Sequence, residues 1–273
     1  QRVREQVTEA ALTKVTSDSN RVDQLLTLQK KIESAVLTGG NAVGEQLDQF
    51  FTEFTSLSAS PNEPAQQQAL LETGSQLAAA LRDASSLLNN LTQNVCLQID
   101  NETVSLNDNF EALNSVNAKI ARFSKQGIEH GSELDQRDRI INELAEVIGV
   151  DRAEIAGGDL HLTIGTHSIH QGANAMELTV QRNNDQVDLV LGEAGRPMEL
   201  ETGRLSALVE TFNVTIPAFE EKLDQLAAEL IAQVNAVQST GIGTTGGFQN
   251  LIGSIEIEDS SVPLSDALPG STL

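Results

Sequence analysis

The chain has 273 residues, and 17 lysines and arginines against 39 aspartates and glutamates leave a formal net charge of −22. A surface this acidic is repelled by phosphate backbones and anionic lipid, which argues against nucleic-acid and membrane partners. Eight phenylalanines with no tyrosine or tryptophan leave Leu, Ile, Val and Ala to build the core. That suits helices packed side by side better than an aromatic-lined enzyme pocket.

The first segment is periodic: Ala11, Val15, Val22, Leu25, Ile32 and Val36 fall on an alternating three-and-four spacing up to the stop at Gly39-Gly40. A helix over most of this stretch is more than about 50 Å long. A stripe that narrow calls for partner helices. A short second helix carries Leu47, Phe50, Phe51, Phe54 and Leu57 on one face, and "SASPNEP" ends it with two prolines.

From Ala65 the helical period is almost unbroken. Leu70, Leu77, Leu81, Ala84, Leu88, Leu91, Val95, Ile99, Leu106, Phe110, Leu113, Val116, Ile120 and Phe123 keep it, with Gly74 as the interior breaker. A helix approaching 60 residues spans about 90 Å, a length that rods and bundles use. The single cysteine, Cys96, lies inside it as a buried or half-buried helix residue with no histidine nearby in sequence.

The run ends at Gly127 to Gly131, and the next helix opens with Glu133, Asp135, Arg137 and Asp138. Such a cluster could be catalytic or metal-binding, or simply the start of a structural helix. Ser132 is placed as an N-cap with Asp135 three residues on, acids in the first turns suit the helix dipole, and Asp135 is spaced to pair with Arg139. Leu134, Ile141, Leu144 and Ile148 then form the buried stripe, so helix physics accounts for the charges.

After Gly149 the period changes to two. In "DLHLTIGTHSIHQG", Leu160, Leu162, Ile164 and Ile169 face one way, with His161, Thr163, Ser168 and His170 on the other. Gly165-Thr166 fits a two-residue hairpin turn, which sets His161 across from His170. "MELTVQR" and "QVDLVLG" are two more strands, giving one small antiparallel sheet over roughly 158 to 200. Helix returns at "ETGRLSALVETFN" and from Pro217, where Phe219, Leu223, Leu226, Leu230 and Val234 share a side as far as Gly241.

The fold class is therefore mainly α with a small antiparallel β part: an elongated bundle of long helices plus a β-hairpin subdomain. Residues 1–156 form the long-helix bundle, 157–200 the β subdomain, 201–241 the helices returning to the bundle, and 242–273 an irregular, truncated tail. No P-loop, dinucleotide fingerprint, zinc spacing, nucleophile elbow or EF-hand loop occurs, and "GIGTTGG" neither follows a strand nor opens a helix. His161 and His170 could give two zinc ligands, but zinc takes a third or fourth, and exposed strand positions explain them as well. No catalytic, cofactor-binding or metal residue is assigned.

Several stretches in order resemble the flagellar hook-associated proteins of the hook–filament junction (the FlgK type). They are "DQFFTEFTSLSASPNEPAQQQALL" at 48–71, "LNSVNAKIA" at 113–121, "LDQRDRIINELAEVIGV" at 134–150, the Gly-rich strand pair "GGDLHLTIGTHSIHQG", "TGRLSALVE" at 202–210 and "IPAFEEKLDQLAAELIAQVNAVQSTGI" at 216–242. The resemblance runs over about 1 to 248. It weakens near Gln238 and Gly243, where the family tends to have His and Asp, and at Phe248, which stands alone where the family has a pair.

The resemblance implies a structural, non-enzymatic protein of the bacterial flagellum, extracellular and exported by the flagellar secretion apparatus without a cleaved signal. It implies a ring of copies of the full-length protein joining hook to filament, with the hook protein and a neighbouring junction protein as partners. The family's terminal segments are expected before Gln1 and beyond Leu273, the latter with the export chaperone's site, so the chain reads as a core fragment that stays largely monomeric alone. The alternative function is a non-flagellar elongated helical sensor or tethering protein with a ligand-binding β subdomain.

Overall fold

The computed structural model describes residues 2–37, 42–154, 160–164, 167–171, 174–175, 177–183, 186–192 and 196–240. The helices are α1 (Arg2–Leu37), α2 (Val43–Ala59), α3 (Pro64–Gln126), α4 (Gly131–Val147), α5 (Arg204–Glu210) and α6 (Ile216–Thr240). The strands are β1 (Asp151–Glu154), β2 (Leu160–Ile164), β3 (His167–Gln171), β4 (Asn174–Ala175), β5 (Leu178–Asn183), β6 (Gln186–Leu191) and β7 (Arg196–Pro197). The fold is α-dominated with a small antiparallel β part. The chain divides into two compact units, Gln1–Ala228 and Glu229–Leu273. Of the second, only the last part of α6 is described.

The spine is α3, whose 63 residues run about 94 Å at 1.5 Å per residue. Its buried stripe is Thr73, Leu77, Ala80, Ala84, Leu88, Leu91, Val95, Ile99, Thr103, Leu106, Phe110, Leu113, Val116 and Ile120. Thr103 fills the gap that the apolar spacing leaves between Ile99 and Leu106. Its hydroxyl donates to the Ile99 carbonyl at 2.8 Å, so it enters the core without an orphaned polar group. The helix ends as its glycine predicts. Gly127 sits at φ 67°, Ile128 N–H donates to Phe123 O at 3.0 Å and Gly127 N–H to Ser124 O at 3.2 Å, a Schellman pair that satisfies two terminal carbonyls.

Helices α1, α2, α4 and α5 pack on this spine. Helix α2 lies along its start, with Phe50 buried and 3.4 Å from the position a side chain would take at Gly74. Phe51, expected on the buried face, is 50% exposed and meets Phe50 edge-on, centroids 5.7 Å apart. Helix α4 packs against the far end of α3, and α1 against α4 and α5.

The buried face of α1 differs from the expected one. Of the expected stripe Ile32 is buried and Leu25 half-buried, whereas Ala11, Val15 and Val22 are exposed and the side chain of Val36 lies outside the described residues; Leu28 and Ser17 are buried instead. The inward face carries polar side chains that find partners. Arg21 donates to Glu210 at 2.5 Å and to Ser206 at 3.3 Å, and Gln24 donates to Gln98 at 3.4 Å.

Helix α4 also begins earlier than expected. His130 is the N-cap residue and makes no side-chain cap bond. The first helical bond runs from Leu134 N–H to His130 O at 3.2 Å. Ser132 is thus already inside the first turn, where its hydroxyl donates to Glu133 at 2.9 Å instead of capping.

There are two sheets rather than one. The first has order β1-β2-β3-β4 and the second β5-β6-β7, all pairs antiparallel. Strand β1 lies ahead of the expected start of the β part at 157. Its sequence, Asp-Arg-Ala-Glu, has no apolar alternation to reveal it, and as an edge strand it needs none. The turn at 165–166 and the tail at 242–273 fall outside the described residues.

Candidate functional site

The histidine pair is the first candidate. At the hairpin's turn end the register is as expected, with Ile164 opposite His167 and Thr163 opposite Ser168. A bulge then shifts it, placing Leu162 opposite His170 and His161 opposite Gln171. The extra residue on the β3 side, Ile169, moves His170 one place along, so His161 and His170 are not cross-strand partners. His161 Nε2 instead lies 3.1 Å from Ser168 Oγ. Among the described residues, no three or more His, Cys, Asp and Glu side chains are grouped so as to hold a metal ion.

Cys96 is half-buried on α3, as expected. Its neighbour is a residue that sequence spacing could not supply: Arg182 of β5, whose Nη2 lies 3.4 Å from Sγ and 2.5 Å from Asp100 Oδ1. The hydrogen bond with Asp100 is the main reason that the guanidinium is held above its ordinary pKa, with Cys96 adding to it. The thiol has a cation beside it, and that cation is shared with the Asp100 carboxylate.

Arg137 is 4% exposed and lies 3.8 Å from Asp138. Arg139 Nε donates to the backbone carbonyl of Asp135 at 3.3 Å rather than to its carboxylate. Leu134, expected in the buried stripe, is half-buried, while Ile141, Leu144 and Ile148 are buried.

The most developed polar contacts join helices to sheet. Asn107 of α3 donates from Nδ2 to Leu178 O at 2.8 Å and accepts Leu178 N–H at 2.9 Å. Asn213 repeats the arrangement on Val187, with both bonds at 2.8 Å. Each amide side chain stands in for a peptide group of a neighbouring strand. Asn213 lies on a π-helical turn, Thr211–Thr215, in which Ile216 N–H reaches back to Thr211 O. Pro217 follows and has no N–H to continue an ordinary ladder.

Arg204, at the start of α5, donates to Glu102 of α3 at 2.7 Å and to Glu146 of α4 at 3.4 Å. Burial works to lower its pKa, but the Glu102 hydrogen bond and the charges of Glu102 and Glu146 outweigh it, and the net shift is upward. One residue earlier, Gly203 has φ 84° and donates its N–H to Ser17 O of α1 at 3.1 Å. A Cβ there would lie 2.3 Å from Val147 O. These contacts tie α1, α3, α4 and α5 together and hold the β5–β6 ladder against the spine. This is an arrangement for holding shape.

Comparison with known proteins agrees with that reading. The family model described as the flagellar hook-associated protein FlgK helical domain matches residues 29–251. Flagellar hook-associated protein 1 of Escherichia coli (strain K12) is 25% identical over 249 residues, covering 87% of this chain and 45% of that protein. Its counterpart in Salmonella typhimurium is 24% identical over 230 residues, covering 79% and 41%. The chain thus spans about half the length of the curated relatives it matches. A solved structure of the flagellar hook junction protein FlgK from Burkholderia pseudomallei superposes with a TM-score of 0.63 at 20% identity, covering 76% of this chain and 38% of that one. It shares the fold.

Proposed function

The chain belongs to the family of the flagellar hook-associated protein FlgK helical domain, and from that premise we propose that it is part of a structural adaptor joining hook to filament in the bacterial flagellum. The observation that carries this reading is the extent of the family match, which runs over residues 29–251 and takes in the end of α1, all of α2 to α6 and both sheets. The work is mechanical: packed helical surfaces hold two protein lattices together, and no catalysis is involved. The contacts support this: Asn107 ties β5 to α3, Asn213 ties β6 to the turn after α5, and Arg204 ties α5 to α3 and α4.

In this reading α1 to α5 form the bundle, and the β part, held against α3 through β5, begins at Asp151 rather than at 157. The protein works outside the cell, exported by the flagellar secretion apparatus. Its partners are further copies arranged in a ring, the hook protein, a neighbouring junction protein and an export chaperone. The relatives named as hook-associated and hook junction proteins support these assignments.

The test is immunogold labelling of intact flagellated cells of the source with antibody raised against this chain. Gold confined to the boundary between hook and filament is the expected result. Gold along the envelope, or absent from flagella, overturns the reading.

A further inference from the structure

We propose that a cavity of about 460 Å³ between α1, the α4–β1 junction, β2–β3 and the segment leading into α5 binds a cationic side chain, of the lysine or arginine kind, from a neighbouring protein subunit. The identity of that neighbour rests on the flagellar reading above; the cation site itself does not.

The floor is partly apolar, with Val150 and Ile164 buried. The rim carries Asp151, Glu199 and Glu201 against Lys14, with His167 half-buried beside them. Among the described residues, three carboxylates against one ammonium leave the mouth negative at a pH where histidine is neutral. No ion pair satisfies these carboxylates among the described residues, unlike Glu102, Glu146 and Glu210 elsewhere in the molecule. They are not gathered closely enough to hold a metal ion. Spaced acids beside a partly apolar wall suit an extended organic cation instead, whose charged head enters first past the carboxylates toward Ser17 while its methylene stem lies along the apolar side.

A second observation points into the same space. Ser17 lines the cavity, is 1% exposed, and its Oγ has no hydrogen-bond partner among the described residues. A helical serine ordinarily returns its hydroxyl to the carbonyl four residues back, and a buried orphan of this type is unfavourable. A hydroxyl has two lone pairs for an ammonium or guanidinium donor. The cavity volume falls within the ~300–1,000 Å³ of small-ligand clefts, ample for one extended side chain.

The test uses the chain at pH 8, where the ring of His167 serves as a reporter on the cavity wall by NMR. It is titrated with N-acetyl-lysine methylamide, the matching arginine amide and the uncharged norleucine amide. The lysine or arginine amide is expected to shift the His167 signal saturably while norleucine amide does not. Replacing Glu199→Gln and Glu201→Gln together, both exposed and therefore harmless to folding, is expected to weaken that binding about fivefold or more. No shift with either cation, an equal shift with norleucine amide, or unchanged affinity in the double variant overturns the site. Tighter binding of 1,5-diaminopentane than of both amides, by tenfold or more, overturns the assignment to a protein side chain in favour of a free polyamine. Because these readouts use the isolated chain, their failure is distinct from failure of gold labelling at the hook.

Discussion

Asn107 and Leu178, 71 residues apart, exchange two hydrogen bonds, so an amide side chain on the spine completes the ladder of a strand edge. Leu178 is 1% exposed, and its peptide groups have no ready access to water once the amide is gone. Asn107→Ala therefore leaves a buried donor and acceptor unmet and is expected to cost about 2–3 kcal/mol. Asn107→Asp keeps the acceptor, loses the donor and is expected to cost less. Urea unfolding of the two variants checks the order, and amide hydrogen exchange is expected to quicken in β5 before it does in α3.

Gly203 is the tightest backbone approach in the helical junction. Its φ of 84° with ψ of 162° lies in a region that is essentially glycine's alone, and a Cβ would meet Val147 O at 2.3 Å and Ile148 Cα at 2.7 Å. Backbone atoms cannot turn aside as a flexible side chain does. Gly203→Ala is expected to destabilise by about 3 kcal/mol or more, read as a lower midpoint in thermal unfolding. Separation of α1 from α4 is expected to accompany it, because the bond from Gly203 N–H to Ser17 O is made at the same point.

What could be read from the sequence and what could not divide along physical lines. The α3 stripe was legible because each of its buried positions repeats at helical spacing against apolar neighbours. The α1 face was not, because its inner side is held partly by Arg21 and Gln24, polar residues that read as solvent-facing unless their distant partners are known. Strand β1 is charged, and the β3 bulge depends on one extra residue that alternation cannot reveal. The asparagine clamps join residues 71 and 26 positions apart, a distance over which no local pattern exists. The cavity left more trace, as acids near Asp151 and Glu199, but nothing in the chain order brings those two segments together.

Gly127 gives a smaller and more local effect. Its φ of 67° is the left-handed value that closes the Schellman pair, and a Cβ there would meet nothing within 4 Å. The penalty for alanine is therefore conformational alone, about 1–2 kcal/mol, and asparagine, which tolerates this conformation better, is expected to cost less. Chemical denaturation of Gly127→Ala and Gly127→Asn checks the ranking; equal losses would mean that the turn is held by something other than its backbone angle.

Arg204 offers a test of how charge holds the junction. Its bonds reach two helices at once, Glu102 of α3 and Glu146 of α4, and its side chain is 29% exposed, so solvent screens the pair only in part. Its folded-state pKa is raised above the ordinary arginine value. A raised value means that the arginine's contribution is fully present below the unfolded pKa and fades only as pH climbs through the folded one, beyond the reach of ordinary buffers. Between about pH 6 and pH 10, the difference in stability between wild type and Arg204→Ala is expected to stay level at about 1–2 kcal/mol. Arg204→Lys keeps the charge but not the planar fork, and it is expected to recover less than half of the loss. Denaturant unfolding at three pH values across that window decides the matter. A difference that collapses by pH 9 would show that a group other than the Arg204 guanidinium governs the contact.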